Sequence, residues 1–278
     1  MKKYITLFYL FLIPSLYATE FIQKNKLIKL PNWKQSIFIG NVIQGITYSQ
    51  KKWFFSQAQK NKISFTILNT QNHYSYQTTI PYSSHGQDLS FIQNKKYITL
   101  LTVSQNNDGI AFFQLQPHHK NKIIFDKEII LFKNITTVAL SDDKIYLLIR
   151  SQNNIFVYLY KELLLLGKNT RPIFYFLLDK KQQKKGVWFQ GLTMKDGYIY
   201  TLSGNNTIHG KKYLIIYDFY GKVIKSFELT TGKQKALTEG SKWELEGLTF
   251  VKNNLFTTVM SGKNKKNIKR LYQILKLK

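Results

Sequence analysis

Four polar side chains stand just before the innermost strands in four copies of one short phrase. Gln44 precedes Gly45-Ile46-Thr47-Tyr48, and Asp88 precedes Leu89-Ser90-Phe91. Gln190 precedes Gly191-Leu192-Thr193-Met194, and Glu246 precedes Gly247-Leu248-Thr249-Phe250. His85, Trp188, Trp243 and Glu244 lie within three positions of Asp88, Gln190 or Glu246. Amides and carboxylates hydrogen-bond the hydroxyls of a sugar or polyol, an imidazole can meet a phosphate, and indole rings stack on sugar faces. The oxygens of Gln44, Asp88, Gln190 and Glu246 could instead hold Ca²⁺, which takes about six to eight oxygen ligands. Asp88 and Glu246 could also act as paired carboxylates in a glycosidase, lactonase or phosphoesterase. The bland alternative is a hydrogen-bonded plug that satisfies backbone groups at the strand starts. The chain has no Gly-rich phosphate loop, no G-x-S-x-G elbow and no closely spaced His/Glu zinc motif, so no cofactor beyond Ca²⁺ is expected.

The elements around these residues repeat. A fifth copy of the phrase, Thr137-Val138-Ala139-Leu140, is preceded by Thr136 and offers only hydroxyls. Each copy is followed, after a few polar residues, by an aromatic-rich run such as Trp53-Phe54-Phe55 or Tyr198-Ile199-Tyr200. The copies begin about 43 to 56 residues apart, the period of four-stranded propeller blades. The fold class expected is therefore all-β, a five-bladed β-propeller. Its blades fall at about 40–85, 86–135, 136–187, 188–243 and 244–278 plus 19–39. The last unit has only three strands of its own, and the alternating segment 21–30 can supply the fourth and close the ring. In a ring, the positions before the innermost strands converge at one mouth of the central channel. Gly45, Gly191 and Gly247 read as points of close backbone approach near the axis.

Met1-Lys2-Lys3 followed by an apolar run to Leu16 and a small residue at Ala18 reads as a signal peptide over 1–18. Residues 19–278 are then one propeller domain, exported to the periplasm or the medium, with no membrane-spanning segment. The chain lacks cysteine, so its stability must come from its core rather than from disulfides. Its net charge is +26. Only Arg150, Arg171 and Arg270 are arginine, however, and a dedicated nucleic-acid reader would carry more. The excess lysine points instead to an anionic surface as partner. A ring that closes within one chain is expected to be a monomer. His118-His119, in a Lys-rich loop, reads as solvated.

Taken in order, Gln44-Gly45, His85-Gly86-Gln87-Asp88, Gln190-Gly191 and Trp243-Glu244-Leu245-Glu246-Gly247 resemble the motifs of helveticin J-like bacteriocins. They are also similar to those of the related propellers in phage receptor-binding proteins and in teichoic-acid biosynthesis protein C. The resemblance implies a five-bladed fold that recognises bacterial surface glycans, often anionic wall polymers. In some members it implies killing of related bacteria. The positions that match are Gln44, His85, Asp88, Gln190 and Glu246.

Overall fold

The computed structural model describes residues 19–278 apart from 31–32, 35–37, 39–41, 60, 73, 83, 85–86, 94–96, 117–121, 241 and 264–265. The segment 1–18 read as a signal peptide, His85 and the His118-His119 pair lie outside the described residues.

Five four-stranded antiparallel sheets form a five-bladed β-propeller. The first blade is β2 (Ile43–Ser49), β3 (Lys52–Gln59), β4 (Lys62–Asn69) and β5 (Ser75–Ile80). The second is β6 (Ser90–Gln93), β7 (Ile98–Val103), β8 (Gly109–Gln116) and β9 (Lys122–Ile130). The third is β10 (Ile135–Leu140), β11 (Tyr146–Ser151), β12 (Asn154–Leu159) and β13 (Phe174–Leu177). The fourth is β14 (Trp188–Lys195), β15 (Tyr198–Gly204), β16 (Lys212–Tyr217) and β17 (Val223–Leu229). The fifth joins β18 (Lys242–Val251), β19 (Asn254–Lys263) and β20 (Lys266–Leu277) to β1 (Phe21–Ile28), in the order β1-β20-β19-β18. Phe21 sits opposite Leu277 and Ile28 opposite Leu271, so the two ends of the chain close the ring as one sheet. Among the described residues two short α-helices are inserted, α1 (Tyr160–Leu166) and α2 (Lys233–Glu239).

Alternation sets the packing. Successive side chains on a strand point to opposite faces, and both faces of an inner blade strand meet a neighbouring blade. The result is five apolar clusters, each bridging two adjacent blades. Phe54 and Phe65 of the first blade meet Leu100 and Phe113 of the second. Phe55 on the opposite face of β3 packs with Phe256 and Leu271 of the fifth. Each such side chain contributes about 1.5–3 kcal/mol by leaving water, which replaces what disulfides would supply. The hairpin between β14 and β15 turns on Asp196 (φ 51°) and Gly197 (φ 77°), the pair of left-handed residues that a two-residue turn needs.

At the axis the chain needs glycine for room. A Cβ on Gly45 would lie 2.6 Å from the Asp88 carbonyl carbon and 2.8 Å from the Leu89 nitrogen. Gly247, at φ 64°, would press a Cβ to within 2.9 Å of Ile46. The first, second and fifth blades thus touch backbone to backbone here.

Candidate functional site

The inner strands share an irregularity that aims their first residues. In β2 the pairing with β3 steps from Ile43 to Gly45 and skips Gln44. In β10 it steps from Ile135 to Thr137 and skips Thr136. In β14 it steps from Phe189 to Gly191 and skips Gln190. In β18 the register shifts between Glu246 and Thr249. Such bulges turn a side chain out of the sheet's alternation. Gln44, Thr136, Gln190 and Glu246 all turn into one funnel of about 530 Å³ at this mouth. Gln87, Arg150, Trp188, Asn206, Lys242 and Glu244 complete its polar and aromatic lining.

A hydrogen-bonded chain crosses the funnel floor. Gln87 Nε2 donates to the Phe189 carbonyl and, at 3.4 Å, to Gln190 Oε1. Gln190 Nε2 donates to Glu244 Oε1 at 3.0 Å, and Lys242 Nζ pairs with Glu244 Oε2 at 3.1 Å. Glu244 therefore has a partner on each oxygen. Glu246 is fully buried and hydrogen-bonded to Glu244. Burial first, then the charge of Glu244, holds its carboxyl well above the usual range, so it keeps its proton.

That proton has a consequence for stability. The folded chain holds it more tightly than the unfolded chain, so its stabilising share is complete below the ordinary carboxylate range. It is lost as pH rises toward the folded value. Glu246→Gln is expected to raise Tm by a few degrees at pH 8 and to leave it nearly unchanged at pH 4. Calorimetry at the two pH values checks this, and an equal shift at both would exclude Glu246 as the titrating group.

The third blade contributes more than threonine. Arg150, at the end of β11 and opposite Thr137, reaches the funnel wall. Its Nη1 donates to Thr136 Oγ1 at 2.7 Å, and its guanidinium lies 4.8 Å from the Phe189 ring centre. No carboxylate among the described residues pairs with it, and its buried Nε has no acceptor there. Burial lowers its pKa to about 10, which leaves it charged at neutral pH. Gln44 Oε1 and Glu246 Oε2 are likewise buried without partners. The funnel wall thus holds one cation without a carboxylate partner and two buried oxygen atoms without a hydrogen-bond donor among the described residues. Arg150 was hidden from sequence reasoning because it belongs to a second strand rather than to the repeated phrase. Gln87 was visible as the opening of its copy of the phrase, in the slot that Gln44 and Gln190 fill in theirs.

Two expected site residues face elsewhere. Asp88, at φ 57°, lies buried on the axis beneath the funnel. Its Oδ2 accepts the Leu192 N–H and its Oδ1 accepts the Leu248 N–H at 3.2 Å, while its own N–H donates to the Gln44 carbonyl at 3.2 Å. Burial, against the pull of those two amides, holds its carboxyl well above the usual range. Trp243 turns into the core between the fourth and fifth blades. Its Nε1 donates to the Thr231 carbonyl at 2.8 Å, and Lys212 and Lys233 lie 4.2 and 5.4 Å from its ring centre. The helix α2, which the sequence did not announce, packs beside it through Ala236. Trp188 stays at the rim, 48% exposed. Below Asp88 the opposite mouth holds only about 30 Å³, little more than a water. Among the described residues no three His, Asp or Glu side chains converge as a metal site.

No family model matches the chain, and no curated protein matches it. Solved structures do. The tail fibre of Staphylococcus aureus phage P68 superimposes with a TM-score of 0.64 at 14% identity, covering 93% of this chain and 52% of the fibre. The chain thus spans about half the length of that fibre. A thermostable family-43 glycoside hydrolase superimposes with a TM-score of 0.50 at 10% identity, covering 86% of this chain and 94% of the hydrolase. At these identities the likeness is one of fold.

Proposed function

We propose that this propeller binds a bacterial surface glycan, of the anionic or polyol-phosphate kind, in the funnel between the inner strands. The observation that carries this reading is the unpaired Arg150 guanidinium beside two unpartnered oxygens, Gln44 Oε1 and Glu246 Oε2. A planar guanidinium suits a phosphate or carboxylate, while the amide and carboxyl oxygens suit hydroxyls. Trp188 at the rim offers a face to a sugar ring. The resemblance to helveticin J-like and wall-polymer-binding propellers, and the phage tail fibre among the similar folds, agree with a role at a bacterial surface. The net charge of +26 would speed encounter with such a surface, and a secreted or periplasmic home would give access to it.

Binding fits the carboxylates better than hydrolysis. Glycoside hydrolysis places its two carboxyl groups about 5–9.5 Å apart, on either side of the bond to be cut. Glu244 and Glu246 instead hydrogen-bond each other, and Asp88 spends both oxygens on backbone amides. The test is titration calorimetry with a purified polyol-phosphate wall polymer and with the same polymer stripped of phosphate, at low and high salt. Expected are saturable binding of the first, much weaker binding of the second, and loss of affinity as salt rises. A glycan array with no bound member would defeat the proposal.

A further inference from the structure

The third blade carries a feature that neither the ring nor the funnel requires. In the first and fourth blades the third and fourth strands are joined by short turns, residues 70–74 and 218–222. In the third blade the same connection runs from 160 to 173 and folds into α1 and a 3₁₀ turn, Gly167–Asn169. Only Tyr160 and Leu163 of α1 are buried; Leu163 packs into the cluster between the second and third blades. Leu164, Leu165 and Leu166 face outward, with Leu165 83% and Leu166 54% exposed. The edge strand β13 adds exposed apolar side chains of its own. Tyr175 and Leu177, two positions apart and so on one face, are 65% and 64% exposed. Tyr175 lies 5.7 Å from Phe156, which in turn lies 5.4 Å from Phe132, so this face joins the outer edge of the interface between blades.

Exposed leucines in a row cost solubility, and single exposed apolar residues are ordinary where a patch is not. The insert also carries Lys161, Lys168 and Arg171, all exposed, against the single acid Glu162. Leucines projecting from a cationic knuckle are the makings of an interfacial lipid contact: apolar side chains enter the acyl boundary while the cations meet headgroup phosphates. No helix among the described residues is long and apolar enough to cross a membrane, so the contact would lie on the bilayer. A second copy of the chain is the weaker occupant, because two chains of net charge +26 repel.

We infer that the α1 knuckle and the exposed face of β13 form a docking surface for an anionic lipid bilayer. The inference is independent of the glycan reading, since it uses no funnel residue.

The test is co-sedimentation of the full chain with vesicles of phosphatidylcholine alone or mixed with phosphatidylglycerol. Expected is binding to the mixed vesicles only. The double substitution Leu165→Glu, Leu166→Glu should weaken it at least about tenfold with Tm unchanged, because both side chains are already in water. A chain that stays in the supernatant with the mixed vesicles overturns the inference. So does a double variant that sediments like the wild type, which would mean diffuse attraction by lysines elsewhere. Light scattering that shows a dimer dissolved by the same substitutions overturns it in favour of a second copy.

Discussion

Replacing Arg150 by methionine is expected to weaken binding of a polyol-phosphate polymer by about 100-fold while leaving the fold as stable or more so. The two halves of that result have one cause. A half-buried guanidinium without a carboxylate partner among the described residues is a cost to the folded chain, and methionine removes the charge while keeping much of the bulk over Phe189. The same guanidinium is the strongest donor the funnel offers an anion. Charge-assisted hydrogen bonds of this kind contribute about 1.5–3 kcal/mol each, and about 2.8 kcal/mol is a factor of 100. Arg150→Lys keeps the charge but loses the fork that holds Thr136 and faces the guest together, so about a tenfold loss is expected. Titration calorimetry and a thermal melt on the same samples check both halves. If methionine lowers Tm sharply and leaves affinity intact, Arg150 is a structural residue and the anion contact lies elsewhere.

Asp88→Ala is expected to cost about 4 kcal/mol and to lower Tm by about 10 °C. Two backbone N–H groups, of Leu192 and Leu248, would lose their acceptor in a place water does not reach. Each such orphan costs about 1–3 kcal/mol. Alanine would also have to hold a left-handed backbone that aspartate and asparagine tolerate better. Asp88→Asn should fall between, because its amide oxygen can accept one N–H while its NH₂ faces the other donor. Denaturant midpoints for the three proteins give the order. An alanine variant as stable as the wild type would remove Asp88 from the role of staple between the second, fourth and fifth blades. Asp88, one layer below the funnel, satisfies backbone amides at the starts of two inner strands. The contacts proposed for the guest, Arg150, Gln44 and Glu246, lie above it.

The contrast between Asp88 and Glu246 shows how far sequence reading reaches. Asp88 directly precedes Leu89-Ser90-Phe91, whereas Gly247 separates Glu246 from Leu248-Thr249-Phe250, yet both read as channel-mouth carboxylates. What separates them is register. Glu246 lies within a strand that bulges at Gly247, and the bulge directs it into the funnel. Asp88 precedes a strand that starts only at Ser90, so its side chain drops onto the axis and spans to residues 104 and 160 positions away. Trp243 was ambiguous for the same reason. One step in a strand exchanges core for solvent, and the Lys212 and Lys233 side chains that flank its ring come from distant segments.

The linear chain by itself determined the number of blades, the closure by 21–28 and the need for glycine at the axis. Those follow from local periodicity and from steric limits that each residue carries with it. Only the closed ring decided which openings face the funnel, that the third blade adds Arg150 to its wall, and that Asp88 ties strands together. Those depend on bulges and on approaches between blades, which exist only once residues far apart in the chain have been brought within a few ångströms of each other.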